Sequence, residues 1–251
     1  MQTENIYQYI LRIADDSFIL GHRLSEWCGH GPILEEDIAL TNFALDFIGQ
    51  ANILYDYCAE LKKNVTNADE IAFLRKEIEY KNLILVELPN GDFAQTMLRQ
   101  YLFDCFRIHF FDMLSNSSDD FLQAFAQKAL LETKYHYKHS SEWILRLGIG
   151  TSLSNEKMQN ALNYVMKYSN ELFFMDEVDQ DLISQNIGVD LAIIQTIWEK
   201  EVVAHLTKAN LKIPSEKNTF YVGRKGKHSE FFGYILTDVQ YMQRTYPNMQ
   251  W

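Results

Sequence analysis

An all-α fold, a bundle of long antiparallel helices, follows from three observations. Only 4 prolines and 11 glycines interrupt the 251 residues, so helix breakers are sparse and long helices are permitted. The breakers mark the ends of long stretches free of them, and polar residues suited to capping, such as Asp92, open several of the helices. No run of alternating apolar and polar residues is bounded by hairpin turns, so strand signals are weak throughout. No internal repeat and no low-complexity tract is evident.

The elements read in order as follows. A first helix ends near Trp27, at Gly29, Gly31 and Pro32. Ile33 to Lys62 runs without proline as one helix, about 45 Å long at ~1.5 Å per residue. It is apolar around much of its circumference, through Ile38, Leu40, Phe43, Leu45, Phe47, Ile48, Leu54 and Tyr55. Such a helix is buried on more than one side, or presents one face to another chain. Asn64 to Asp69 offers caps, and Glu70 to Leu88 is read as a helix stopped by Pro89-Asn90-Gly91. Asp92 caps Phe93 to Leu114, and the polar break 115–120 precedes Phe121 to Leu147, which ends at Gly148 and Gly150. Ser154-x-x-Lys157 opens a helix reaching about Asp179, and Asp190 to Leu211 stops before Pro214. Ser215 to Ser229 is polar and basic, and Glu230 to Thr245 is a last helix before Pro247. The expectation is a single domain over 1–251, with a basic loop and helix at about 215–251.

Composition excludes several classes. The chain is 47% hydrophobic and 14% aromatic, enough for a substantial core and far from a disordered composition. A net charge of −11 argues against nucleic-acid binding, which needs a basic surface for phosphates. Cys28, Cys58 and Cys105 are widely spaced and odd in number, which indicates neither a disulfide framework nor a zinc ribbon and fits a reduced, cytoplasmic protein. No apolar stretch approaches the ~20 residues that cross a bilayer, and residues 1–10 lack the pattern of a signal peptide.

Four acids recur at near-constant spacing: Asp46, Glu77, Asp104 and Glu132, separated by 31, 27 and 28 residues. Two of them open a short pattern, Glu77-x-x-Tyr80 and Glu132-x-x-Tyr135. Ferritin-like di-iron proteins use a carboxylate, a Glu-x-x-His, a second carboxylate and a second Glu-x-x-His on four helices. Tyrosine stands here at both histidine positions, so the set reads as a degenerate di-iron site without metal. Ordinary surface acids remain the plain alternative, because residues three or four apart on any helix share a face. His136 lies one turn after Glu132, a spacing able to chelate a metal, with His139 close by. A second feature is the basic loop Gly223-Arg224-Lys225-Gly226-Lys227-His228. It is expected to be exposed, and Arg224, Lys225 and Lys227 are candidates for anion or partner contact without a role in folding.

Several stretches together resemble one family. They are Ser25-Glu-Trp-Cys-Gly-His-Gly-Pro32, Glu36-Asp-Ile-Ala-Leu-Thr-Asn42, Leu45-Asp-Phe-Ile-Gly-Gln-Ala51, Val86-Glu-Leu-Pro-Asn-Gly91, Arg99-Gln-Tyr101, Glu132-Thr-Lys-Tyr-His136, Lys225-Gly-Lys-His228 and Gln240-Tyr-Met-Gln-Arg244. The family is that of the C subunit of the bacterial phenylacetyl-CoA epoxidase, the multicomponent monooxygenase of phenylacetate degradation. The likeness is collinear from about residue 5 to Trp251. It implies a ferritin-like fold, no catalytic centre and no cofactor in this chain, and as partner a homologous catalytic A subunit that holds the di-iron centre. Other subunits of that complex, including its reductase, are further implied partners. The other readings are a metal-dependent oxidase built around Glu132 and His136, and a CoA-ester binding module using the basic loop.

Overall fold

The structure, a computed structural model, describes residues 2–62, 67–214, 222–247 and 249. Among the described residues there are helices and no strands. None of those helices is long and apolar enough to cross a membrane. The chain folds as two compact units, Met1–Pro89 with Tyr221–Trp251, and Asn90–Phe220.

The first unit is built on two long antiparallel helices, α1 (Gln2–Ser25) and α2 (Leu34–Leu61). Their direction follows from the contacts between them. Lys62 Nζ meets Glu4 at 3.0 Å and the Tyr55 hydroxyl donates to Asp15 at 2.6 Å. At the other end Gly21 backs onto Ala44 and Ile48, where a Cβ would stand 2.8 Å from Ile48 Cγ1. Ile10, Ala14 and Phe18 of α1 pack in the core with Phe43, Phe47, Leu54 and Tyr55 of α2. Each such large side chain stabilises the fold by about 1.5–3 kcal/mol through burial. The breadth expected of the apolar surface of α2 is only partly buried: Leu34, Ile38 and Leu45 are 72%, 52% and 63% exposed.

The helix expected over 70–88 is broken into three. The chain forms α3 (Ala68–Phe73), a 3-10 turn (Glu77–Glu79) and the short α4 (Ile84–Glu87). The cause is tertiary capture of backbone groups. The N–H groups of Lys81 and Leu83 donate to Asp15 and Asp16 of α1, at 2.6 and 2.8 Å. Arg75 donates to the carbonyls of Ile71 and Glu79. An N–H engaged this way cannot also complete an i to i−4 ladder. The unit is finished by a 3-10 turn at Gly223–Lys225 and by α10 (Phe232–Thr245).

The second unit is built on α5 (Phe93–Leu114) and α6 (Asp120–Gly148). They are antiparallel, with Phe93 against Trp143 at one end and Phe111 against Phe125 at the other. Asp92 and Asp119 cap them through the N–H groups of Gln95 and Leu122, as short acidic side chains do at helix starts. The helix expected from Ser154 to about Asp179 is instead α7 (Ser152–Val165), a 3-10 stretch (Met166–Phe173) and α8 (Glu177–Ser184). Its cap is Thr151, which accepts from the Ser154 N–H. Then α9 (Leu191–Lys208) places Trp198 against Phe173, its indole N–H donating to the Leu102 carbonyl.

Candidate functional site

In the second unit the buried face of α6 is spaced three and four residues apart: Leu122, Phe125, Ala126, Ala129, Thr133, His136, Ser140 and Ile144. The stripe is interrupted by polar residues in its middle, and there it meets Asp104 of α5. Asp104 is fully buried; it accepts from Gln100 Nε2 at 2.7 Å and from Ser140 Oγ at 3.1 Å. Burial raises its pKa from the ordinary carboxyl value of 3.8 to about 8, against the opposing charge of Arg107 one turn on. The Arg107 guanidinium is itself buried and lies over the rings of Phe111 and Phe103, at 4.9 and 5.5 Å. Burial therefore favours the protonated form of Asp104 near neutral pH, even though the carboxyl keeps Gln100 and Ser140 as donors. The Ser140 hydroxyl reaches the Tyr137 carbonyl at 3.3 Å.

The predicted Glu132-x-x-Tyr135 pattern sits one residue away from this stripe. Glu132 is half-buried and Tyr135 is 60% exposed. The pair three residues apart that faces inward is Thr133 and His136, both fully buried. Glu132, His136 and His139 do not form a three-ligand cluster.

In the first unit Asp46 is half-buried on α2, between the buried Phe43 and Phe47. Glu77 is exposed on the 3-10 turn, so Glu77 and Tyr80 do not share a helical face. Glu77 lines an open surface cleft of about 450 Å³ with Lys76, Leu236, Gln240, Tyr241 and Arg244. Tyr80 is fully buried; its hydroxyl donates to the Ala72 carbonyl and accepts from Gln240 Nε2 at 2.9 Å. Burial pushes its pKa up to about 12, opposed by the Arg75 guanidinium 4.0 Å above its ring.

The acids gathered inside this unit are others: Asp15, Asp16 and Glu87. Asp15 accepts from Tyr55, from the Arg75 guanidinium and from the Lys81 N–H. Asp16 accepts from the Leu83 N–H and from Arg224 at 2.7 Å. Burial raises the Asp16 pKa against the Arg224 charge. Glu87 accepts from Asn82, from the Ser229 N–H and from His228 Nδ1 at 2.9 Å. The sequence carried a signal for the first two, an Asp-Asp step inside the apolar run from Ile10 to Leu20.

The described part of the basic loop is a structural clasp, which corrects the expectation of an exposed segment outside the core. Arg224 donates to Asp16 and to the carbonyls of Arg12 and Lys81. The side chain of His228 is fully buried against Glu87. Gly226 is in the left-handed region at φ +73°, and a Cβ there would run into the Ile78 carbonyl oxygen. The physical reason is that the acids of α1 and α4 are buried and require donors, which this loop supplies. Lys225 and Lys227 remain exposed. Residues 215–221 lie outside the described residues.

Chemically, these inward-facing groups are engaged with protein partners, and the surface offers apolar residues on α2, with Tyr135 and Leu131 on α6. The comparisons agree with one another. The family model described as phenylacetic acid catabolic protein matches residues 1–251. The chain is 43% identical over 243 residues to the C subunit of the 1,2-phenylacetyl-CoA epoxidase of Escherichia coli (strain K12), covering 97% of this chain and 98% of that protein. With its all-helical fold and a match along its full length, the chain belongs to the phenylacetic acid catabolic protein family.

Proposed function

We propose that this chain is the structural, non-catalytic subunit of a phenylacetyl-CoA epoxidase complex in the cytoplasm. In this reading it supports a separate catalytic subunit that holds the di-iron centre, and carries no di-iron centre or other oxygenase cofactor itself. The observation that carries the reading is the near full-length likeness to a protein named as the C subunit of that enzyme. The side chains lend support. At the positions where a di-iron protein needs inward-facing carboxylate and imidazole pairs, Glu77 and Tyr135 face solvent and Tyr80 is committed to Ala72 and Gln240. A neutral phenol is also a poor ligand in place of an imidazole.

The partner surface is assigned to the outer face of α2. Leu34, Ile38 and Leu45 are large, apolar and exposed, and contiguous patches of that kind mark interaction sites. Lys225 and Lys227 are further candidates for contact, with an acidic partner surface or with the phosphates of a CoA ester. Co-expression with a catalytic subunit, followed by size-exclusion chromatography and iron analysis, tests the reading. One peak holding both chains, with iron tracking the partner, is expected. Leu34→Asp with Leu45→Asp should split that peak while leaving the melting temperature of the isolated chain nearly unchanged, because both side chains already face water. Stoichiometric di-iron in the isolated chain, with oxidase activity, would favour the enzyme reading instead. Full epoxidase activity from the catalytic subunit alone would remove the scaffold role.

A further inference from the structure

We propose that Cys105, His109 and Glu201 form a zinc-binding site that ties α5 to α9. Cys105 and His109 are one turn apart on α5, and so share a face. Glu201 reaches them from α9. The ligand atoms of the three side chains lie within 4.8 Å of one another, and among the described residues no other group of three or more His, Cys, Asp or Glu meets that condition. His109 Nε2 stands 2.9 Å from Glu201 Oε2, and the Cys105 thiol donates to that same oxygen at 3.7 Å.

These separations are close to those of a coordination sphere. Bond lengths of about 2.3 Å to sulfur, and about 2.1 Å to nitrogen and oxygen, at tetrahedral angles put sulfur about 3.6 Å from oxygen and nitrogen about 3.4 Å from oxygen. The sulfur–oxygen distance already matches. The nitrogen–oxygen distance has to open by about half an ångström, exchanging one hydrogen bond for two metal bonds. Glu201 has the freedom to do so, since its side chain is 45% exposed.

The donor set selects the metal. A thiolate is too soft for magnesium or calcium, and a carboxylate is too hard for copper(I). Sulfur, nitrogen and oxygen donors together suit zinc, which accepts all three. Binding releases the thiol proton, forms a zinc–thiolate bond and shifts the imidazole proton to Nδ1, leaving the Nε2 lone pair for the metal. Three protein ligands leave a fourth tetrahedral position, which water fills on the side where His109 and Glu201 approach solvent. Tyr101, one turn before Cys105 on α5, is stacked between Tyr137 and His205 with ring centroids at 5.8 and 4.9 Å. The ligands come from two helices, so the metal acts as a cross-link inside the second unit.

The test uses the purified full-length chain, stripped with chelator and titrated with cobalt(II) and then zinc(II). One equivalent of cobalt should produce a thiolate-to-metal charge-transfer band with the intense visible absorption of tetrahedral cobalt, and zinc should displace both. Cys105→Ser should abolish the band. Glu201→Gln, at an exposed position where folding is not at risk, should weaken zinc binding roughly tenfold or more. Zinc should raise the melting temperature of the unmodified chain, and this rise should shrink in Glu201→Gln. Cys28→Ser should leave the band intact. A band that survives in Cys105→Ser and disappears in Cys28→Ser, or no band at all with excess cobalt, overturns the proposal. So does a zinc affinity unchanged in Glu201→Gln.

Discussion

Replacing Arg224 by Met should destabilise the protein strongly, although the residue lies in a short basic run that reads as a solvated loop. The guanidinium donates to Asp16 at 2.7 Å, to the Lys81 carbonyl at 2.8 Å and to the Arg12 carbonyl at 3.1 Å. The two charged side chains are 12% and 6% exposed. Removing one partner of a buried pair costs about 3–5 kcal/mol, because the other charge stays buried without compensation. Asp16 has one escape, which is to take up a proton. Burial already raises its pKa, so the lower end, about 3 kcal/mol at pH 7, is the expected loss. At roughly 2–4 °C per kcal/mol for a chain of this size, the melting temperature should fall by about 6–12 °C.

The pH dependence follows with a definite sign. A carboxyl whose folded pKa is raised contributes stability that is present below its unfolded pKa and lost as pH rises through the folded one. Arg224→Met raises the Asp16 pKa further, so the gap between variant and parent should widen as pH rises from about 4 to 7. Thermal unfolding by circular dichroism at several pH values, with urea melts at pH 7, provides the measurement. Lys227→Ala serves as an exposed control and should stay within ~0.5 kcal/mol of the parent. A melting temperature for Arg224→Met within about 1 °C of the parent, or a loss equal at pH 4 and pH 7, would refute the reasoning.

Other perturbations separate buried from exposed positions in the same way. The folded protein holds a proton on Asp104 up to about pH 8, whereas the unfolded chain releases it near 3.8; stability should therefore fall across that window, by at most about 6 kcal/mol at ~1.4 kcal/mol per pH unit. Asp104→Asn removes that slope, so urea melts should show the variant gaining on the parent between pH 5 and pH 8, and parallel curves would count against a neutral Asp104. Gly226→Ala forces a side chain into the left-handed region and onto the Ile78 carbonyl; a loss above about 2 kcal/mol in urea midpoints is expected, since such strain alone costs of order 1–3 kcal/mol. Tyr80→Phe removes the donor to the Ala72 carbonyl and one acceptor of the Gln240 amide, whose Nε2 keeps its bond to the Arg75 carbonyl; it should cost about 1–2 kcal/mol in urea midpoints.

Much of the fold was legible because its signals are local. Asp92 and Asp119 cap the helices they precede, and α2, α5 and α6 end within one or two residues of the places where the breakers put them. What could not be read was set by distant partners. Residues 70–88 have helical composition, but Asp15 and Asp16 take the N–H groups of Lys81 and Leu83 from more than sixty residues away. The placement of the site residues failed for a related reason. Spacing can place Glu132 and Tyr135 on one stripe of α6, but only packing against α5 shows that the inward stripe is the neighbouring one, with Thr133, His136 and Ser140. The basic loop was misread because a charge run at the surface and a charge run answering buried acids look the same until the acids are located. The cluster of Cys105, His109 and Glu201 had half a signal, a Cys and a His four residues apart on a predicted helix, and its third member is supplied by tertiary structure.

The two units answer the same physical problem in different ways. A carboxylate inside a helical core must be paired, hydrogen-bonded or neutralised. In the second unit Asp104 is neutralised by its proton, and its partners Gln100 and Ser140 are close in sequence or on the adjacent helix. In the first unit Asp15, Asp16 and Glu87 engage donors far along the chain: Arg75, Arg224, His228 and backbone N–H groups of the 80s and of Ser229. Buried ion pairs of this kind add little net stability over apolar side chains of the same volume, because desolvation offsets the attraction. They do discriminate between packings, since any arrangement that leaves one acid unanswered is several kcal/mol worse. An apolar α1 could accept the segments 75–88 and 222–247 in several registers. The acids at 15, 16 and 87 admit the one in which Arg75, Arg224 and His228 all arrive together, which makes the C-terminal segment part of the first unit's core and not an appendage.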